Sequence, residues 1–353
     1  MSIPVDGFAF DASIREWDFH RAPPAEVGSF LATLQAVLAA DLPADPPWLE
    51  SEMRNYLAET VAGERRTIWV VESGRTGRSG RKISGFAGLL PFGDVGVIDV
   101  VVHPALRRGG LGEVLVGAVS RRAYREGLPM IGAEAVSGTP SIPFFESMGF
   151  ELEHVETRDL LTLSAVNWAA FTTSAGRFHA GYRIDHYSDG PPKDLLESCS
   201  QIKRAARLDR ADLSLLTRSF DPQRRRHTVE AAQGFSRPHH VVLAIHERTG
   251  VVAALSEAAV SARQPETAYM CAAIVLSDHC DAGIDRVVSE RMLLELRATE
   301  PWVRQVQSWN VQHTETESRN IAELGFASDR GWREYGADTP YLNHMYGASV
   351  MYG

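Results

Sequence analysis

The run from Ile98 to Gly112 constrains the fold more than any other stretch, because an apolar strand ends in a basic, glycine-rich turn that opens straight into a helix. Val97 to Val102 reads as a buried strand. Beyond the turn, Leu111, Val114, Leu115, Ala118, Val119 and Ala123 recur at helical spacing, with Arg121, Arg122 and Arg125 toward solvent. Such a turn is a pyrophosphate cradle. Gly110 and Gly112 remove side chains where a phosphate must approach the backbone, the first N–H groups of the helix point at it, and the helix dipole favours its charge. Arg107 and Arg108 add fixed positive charge. The candidate cofactor-binding residues of the turn are therefore Arg107, Arg108, Gly109, Gly110, Leu111 and Gly112. The turn lacks the Gly-Lys-Ser/Thr ending of a Walker loop, and no Gly-x-Gly-x-x-Gly of the dinucleotide type is present, so both nucleotide folds drop out.

Arg107, Gly110 and Gly112 match, position by position, the Gln/Arg-x-x-Gly-x-Gly/Ala motif of the GNAT superfamily of acyl-CoA-dependent N-acyltransferases. Phe145-Glu146-Ser147-Met148-Gly149-Phe150 resembles the Tyr-Glu-Lys-x-Gly-Phe segment of that superfamily, at a fitting distance downstream. The resemblance implies acetyl-CoA or another acyl-CoA as co-substrate, no metal, and direct acyl transfer to an amine of a small molecule. It also implies that the strand before the cradle splays from its neighbour, with backbone groups near Val100 and Val102 holding pantetheine and polarising the thioester carbonyl. Two other readings stay open: acyl-CoA binding without turnover, and different thioester chemistry such as decarboxylation or transfer of a longer acyl group.

A chain of 353 residues suggests about two domains. With 45 acidic against 36 basic residues and a formal charge of −9, nucleic acid is not the expected partner. Cys199, Cys271 and Cys280 show no Cys-x-x-Cys spacing and cannot all pair, and no stretch has the length of a signal peptide core or a membrane span. The expectation is a soluble cytoplasmic protein with no membrane partner; its oligomeric state is not legible.

The periodicities predict a strand at 14–21, helices at 24–40 and 48–61, strands at 67–72 and 83–91 joined by a polar, basic linker at 73–81, then the cradle strand and helix, a strand at 131–136, a short helix at 140–148 and a strand at 158–163. This order is that of a GNAT fold, closing a first domain at 1–165. The remainder, 166–353, reads as a diverged copy: strands at 240–246, 251–257 and 269–276, a turn at 277–285, a helix at 286–298, a strand at 305–310, a closing helix, and Leu324-Gly325-Phe326 mirroring Met148-Gly149-Phe150. The C-terminal half, with Gly181-Tyr182-Arg183 and the Pro191–Leu196 segment ahead of it, resembles the tandem-GNAT proteins of actinobacteria. The expected fold class is thus α/β (α+β): two tandem GNAT folds, each a mixed, mostly antiparallel sheet flanked by helices.

In those relatives the second turn reads His-Arg-Gly-x-Gly-Leu-Gly, whereas here it is His279-Cys280-Asp281-Ala282-Gly283-Ile284-Asp285. A carboxylate about 6 Å from a phosphate charge costs ~3 kcal/mol at an effective dielectric near 20, roughly a hundredfold in affinity. The second domain is expected not to bind acyl-CoA in the usual way and to act as a structural partner. Cys280 as a nucleophile is the alternative, disfavoured by the acidic loop.

Acyl transfer to an amine needs a base, an oxyanion partner and a route for the thiolate to leave. Asp99, on the strand before the cradle, and Glu134, on the next, are the candidate catalytic residues if apolar surroundings raise their carboxyls; a solvent-facing or ion-paired role is equally open for each. His103 suits a capping or packing role better than that of a base. Phe145 stands where many relatives place a proton-donating tyrosine, and Gly138 where an asparagine is common. A thiol with pKa below about 9 still leaves without that tyrosine. The acceptor pocket is expected near 42–56.

Overall fold

The computed structural model describes residues 3–5, 8–10, 12–43, 47–58, 60–61, 64–73, 82–169, 171, 181–210, 239–260, 265–271, 273–311 and 321–349. In chain order the first elements are β1 (Ala12–Glu16), α1 (Pro24–Asp41), α2 (Glu50–Ala58), β2 (Thr67–Ser73), β3 (Lys82–Phe92), β4 (Val95–Val102), α3 (Leu111–Arg125), β5 (Met130–Val136), α4 (Ser141–Ser147) and β6 (Glu151–Thr162). There follow β7 (Tyr182–Tyr187), α5 (Leu196–Arg210), β8 (His239–His246), β9 (Val252–Val260), β10 (Thr267–Met270), β11 (Ile274–Val275), α6 (Ile284–Thr299), β12 (Gln305–Val311), β13 (Ala327–Asp338) and α7 (Thr339–Tyr346). The polar linker predicted at 73–81 falls, from 74 on, outside the described residues, as does all but the last turn of the predicted closing helix. Among the described residues no helix is long and apolar enough to cross a membrane.

These elements form two compact units. The first gathers residues 1–154 and 333–353, the second 155–215 and 234–332. A single boundary at 165 was expected; instead the chain leaves the first unit after His154 and re-enters it at Arg333. The first unit's sheet runs β1-β2-β3-β4-β5 and is completed by the last residues of β13 beside β5. Its pairs are antiparallel from β1 to β4, and β4–β5 is parallel. In the second unit the order is β7-β8-β9-β10-β12-β6, with β10–β12 parallel and β11 paired to β9. Each unit therefore takes its last strand from the other half of the chain. The sequence pattern missed this because Glu151 to Thr157 is dense in charged and polar residues and reads as a loop.

Side-chain alternation explains how a central strand of the first unit buries both faces. Trp69 and Val71 of β2 and Ala87 and Leu89 of β3 pack under α3, while Ile68, Val70 and Phe86 pack under α1 with Phe30 and Leu34. Ile83 would fall on the wrong face. A register shift at Val71/Glu72, where the partners jump from Gly85 to Ile83, restores it to the α1 side. Tyr335 and Ala337 of β13 and Leu342 of α7 join the α3 core, and Arg121 donates to the carbonyl of Gly347 at the end of α7. The face of α3 expected to meet solvent is thus partly covered by α7. In the second unit Leu161 of β6 packs with Val242, Val288, Met292 and Val306. Buried Arg158 binds Asp329 through Nε at 2.8 Å, and buried Asp159 accepts from the Ser328 hydroxyl at 2.8 Å, so the polar residues of β6 find partners there.

Candidate active site

In the first unit the parallel pair β4–β5 runs in register from Val95↔Met130 to Ile98↔Ala133 and stops. Asp99 to Val102 and Glu134 to Val136 continue without pairing to each other, while β4 keeps its register to β3 as far as Val102↔Gly85. The two strands therefore stop pairing here, and each candidate carboxylate stands one residue beyond the last paired position. Past β4 the chain makes one 3-10 turn, Pro104–Leu106, and reaches α3. His103 caps that turn, its Nδ1 accepting from the Ala105 N–H at 3.3 Å, which is the capping role.

The turn into α3 is held in left-handed conformations. Gly110, the N-cap, has φ +80°, and Arg108 has φ +65°, the one non-glycine residue with positive φ among the described residues. An arginine in that region is strained, and such strain collects at ligand-binding turns. The first N–H groups of α3 have no carbonyl ahead of them in the helix, so they face the turn as donors. Arg108 is exposed and pairs with no carboxylate among the described residues. Arg107 is different: its guanidinium binds Asp41 at the end of α1 through two contacts of 2.8 and 2.7 Å, and its Nε donates to the Val102 carbonyl at 3.2 Å. Of the two arginines expected to supply charge to the turn, Arg107 spends its charge on Asp41. At Gly112 a Cβ would sit 2.8 Å from the Phe144 ring of α4, so glycine there lets α3 and α4 approach.

The carboxylates differ. Of the two roles open for Asp99, the structure shows the ion-paired one: its Oδ2 accepts from the Tyr56 hydroxyl at 2.5 Å and pairs with the Arg66 guanidinium. The Arg66 side chain is fully buried and stacks over the Tyr56 ring at 4.2 Å, while the Asp99 side chain keeps 25 % of its exposure. Tyr56 lies in the predicted acceptor region and packs edge-on against Trp48. Arg66 and Asp41 were missed: an arginine just before an apolar strand and an aspartate at a helix end look like surface charges. Glu134 is half-buried one residue beyond the last paired position of β5. Phe145 is buried, packed edge-on against Phe144 and Phe150 and stacked on Tyr335, whose hydroxyl donates to Glu146 at 2.9 Å. Burial, with Glu146 beside it, pushes the Tyr335 phenol up, so it holds its proton.

The second unit repeats the frame with other contents. β10–β12 pairing ends at Met270↔Ser308, and Gly283 with φ +65° is the N-cap of α6. Asp285 occupies the position of Gly112, counted from the two N-cap glycines. Cys280 is exposed and its Sγ donates to the Leu276 carbonyl at 3.5 Å; the side chain of Asp281 lies outside the described residues.

Residues 32–150 match the Acetyltransferase (GNAT) family. The chain is similar to a tandem GNAT protein from the clavulanic acid biosynthesis pathway, solved without acetyl-CoA, at 22 % identity and a TM-score of 0.69, over 93 % of this chain and 99 % of that one. It is also similar to a GCN5-related N-acetyltransferase from Sphaerobacter thermophilus, at 16 % identity and a TM-score of 0.63, over 93 % and 96 % of the two chains. No curated protein sequence matches. The fold is that of two tandem GNAT domains, as the residues led one to expect.

Proposed function

We propose that this chain is an acyl-CoA-dependent N-acyltransferase that moves an acetyl group from acetyl-CoA to an amine of a small molecule in the first unit, without a covalent enzyme intermediate. The observation that carries the reading is the opening of β4 from β5 at Ile98/Ala133, leading into a turn held left-handed at Arg108 and Gly110. The family match over residues 32–150 supports it. The residues fit the co-substrate: the N–H groups of Gly110, Leu111 and Gly112 with Arg108 suit a pyrophosphate, Gly109 keeps the turn compact, and the edge of β4 at Val100 and Val102, which β5 leaves uncovered and where only the Val102 carbonyl is taken up by Arg107, suits pantetheine. Bound acetyl-CoA supplies an activated thioester carbonyl.

The chain's own residues then hold and move charge. Asp99, fixed by Tyr56 and Arg66, faces the cleft as a carboxylate that orients a cationic amine. Glu134, across the opening, takes the ammonium proton through a water, so that the neutral amine attacks. Holding both reactants in one cleft supplies much of the rate. The thiolate leaves without a proton from Phe145, and solvent protonates it. Buried Phe145 also favours a second reading, an acyl-CoA-binding protein with no turnover.

Calorimetric titration of acetyl-CoA into the full chain, followed by a free-thiol assay over a panel of small amines, tests both. One site that is lost in Gly112→Asp and weakened in Arg108→Gly, with thiol release, supports transfer. Binding with no amine-dependent release moves the conclusion to the second reading, and no binding of acetyl-CoA overturns both.

A further inference from the structure

Arg107 opens the glycine-rich turn, yet its side chain points back along β4 rather than into the turn. The register of β4 explains what it meets there. The β3–β4 ladder pairs Gly85 with Val102 without a shift, and the next residue, His103, donates its N–H to the Ser84 carbonyl at 2.9 Å. His103 and Ser84 are therefore a hydrogen-bonded pair, so Val102, and by alternation Val100, turn N–H and C=O away from β3. They face the side that β5 has left, since its pairing stops at Ile98↔Ala133. At Val102 a side chain replaces the ladder bond: Arg107 Nε donates to that carbonyl at 3.2 Å.

The rest of the guanidinium is fixed from behind. Its two terminal nitrogens meet the two oxygens of Asp41 at 2.8 and 2.7 Å, a fork on a carboxylate, with both side chains mostly buried. Asp41 is the last residue of α1, whose last turn holds no basic residue, and a carboxylate there opposes the helix dipole. The fork offsets that cost. One side chain thus joins the end of β4, the turn and the end of α1. The chain that leaves α1 then returns to the same strand, where Tyr56 of α2 donates to Asp99 at 2.5 Å. The segment expected to line the acceptor pocket is therefore tied at both ends to the stretch of β4 that β5 leaves uncovered, at Val102 through Arg107 and at Asp99 directly, with Val100 between the two ties. The second unit cannot repeat this. Counted from the N-cap glycines, Cys280 stands where Arg107 does, a side chain too short for such a span, and beneath that turn Asp285, Ser289 and Ser308 line an open hollow.

We propose that Arg107 and Asp41 are positioning residues of the acyl-transfer site. The strut they form sets the open edge of β4 against the segment that follows α1, where the pantetheine arm lies, and Arg107 gives no charge to the pyrophosphate. This rests on the reading of the first unit as an acyl-CoA site. It leaves Arg108 as the charge of the turn.

The test is calorimetric titration of the full chain with two probes, acetyl-CoA and 3′-phospho-ADP, which carries the pyrophosphate and adenosine of CoA without the pantetheine arm. Asp41→Asn and Arg107→Gln should each weaken acetyl-CoA by about tenfold, as losing one charge-assisted fork does, and neither should weaken 3′-phospho-ADP. Arg107→Lys keeps the charge but offers one nitrogen where the strut uses three, so it should fall with Arg107→Gln. The double variant Asp41→Asn/Arg107→Gln should bind acetyl-CoA no worse than either single variant, as two halves of one contact do. Arg107→Gln weakening both probes alike, or Arg107→Lys binding acetyl-CoA as the parent does, would make Arg107 a phosphate ligand. Tighter acetyl-CoA in Asp41→Asn would make Asp41 a competitor of the phosphate, and unchanged acetyl-CoA in both single variants would leave the strut without a part in the site. Each of these overturns the strut while the acyl-CoA reading stands; a parent that binds neither probe overturns both.

Discussion

The two units share a frame and differ in what fills it. Both open a parallel strand pair beside a helix whose N-cap is a left-handed glycine, Gly110 in one and Gly283 in the other. In the first unit Gly112 adds no side chain at the first turn of the helix, and the space beneath is packed solid by Val116, Ala133, Phe145, Met148 and Phe150. In the second, Asp285 stands at the mouth and serines line the space beneath. On the proposed reading, backbone geometry does not by itself make a phosphate site. On that reading three properties coincide in the first unit: glycine at the N-cap and at Gly112, the charge of Arg108, and a filled floor beneath the turn. The second unit keeps only the geometry.

The strongest way to break the comparison is to treat the units as separable along the sequence. A fragment of residues 1–165 lacks Tyr335, Ala337 and Leu342 of its core and the strand beside β5. Losing several buried large side chains at about 2–5 kcal/mol each exceeds the stability of an ordinary domain. The fragment should be unfolded or insoluble, and a cooperative melt of pure fragment would refute the exchanged-strand account. Next in size, Gly112→Asp should weaken acetyl-CoA by at least about a hundredfold, since it adds a charge and drives a Cβ into the Phe144 ring, whereas Asp285→Ala should leave acetyl-CoA affinity unchanged. Equal damage from both would mean that the second turn also binds. Arg108→Gly separates charge from packing: it relieves the strained φ, so the melting temperature should hold or rise while affinity falls about tenfold.

Two smaller effects sharpen the contrast between filled and hollow floors. Phe145→Tyr buries a hydroxyl in the α3 core and should cost about 1–3 kcal/mol in a denaturant melt. If it instead keeps stability and raises turnover, the hydroxyl has reached the cleft and the leaving thiolate does use a protein proton. The smallest effect is a pH dependence confined to the second unit. There His186 contacts Glu295 at 3.2 Å and His240 at 3.0 Å, and His240 in turn reaches Glu300 at 3.3 Å. Burial pulls the His186 imidazolium below the ordinary histidine value near 6.5, Glu295 opposing this while His240 and Arg291 reinforce it. Because the unfolded chain then binds more protons, this contribution is present above about pH 6.5 and is lost as pH falls below it. His186→Gln should flatten that acid limb, and hydrogen exchange should locate the loss in β7, β8 and α6 rather than in α3.

Much of the frame was legible because its signals are local. The strand, turn and helix around Gly110 carry period-2 and period-3.6 patterns that tertiary packing did not overrule, and Met148-Gly149-Phe150 with Leu324-Gly325-Phe326 exposed the duplication. The failures share a cause, which is that each depended on a partner far away in sequence. Arg107 looked available for phosphate until Asp41, 66 residues earlier, claimed it. Whether Asp99 stood in apolar surroundings or in an ion pair was open until Arg66 and Tyr56 were brought to it. Glu151 to Thr162 looked like the end of a domain because nothing local says that Arg158 and Asp159 belong with Asp329 and Ser328.

The borrowed strands also set a schedule for synthesis. When the ribosome has passed His154, every element of the first unit's N-terminal part exists, yet β5 has nothing on its outer side until Arg333 to Asp338 emerges. At roughly 5–20 residues per second, that interval lasts on the order of 10–40 s. For that time the nascent chain carries an open sheet edge beside a core that lacks Tyr335. The first unit is completed only when β13 is made, so a stop codon anywhere in the second half removes the strand beside β5 as surely as a deletion within the first half would.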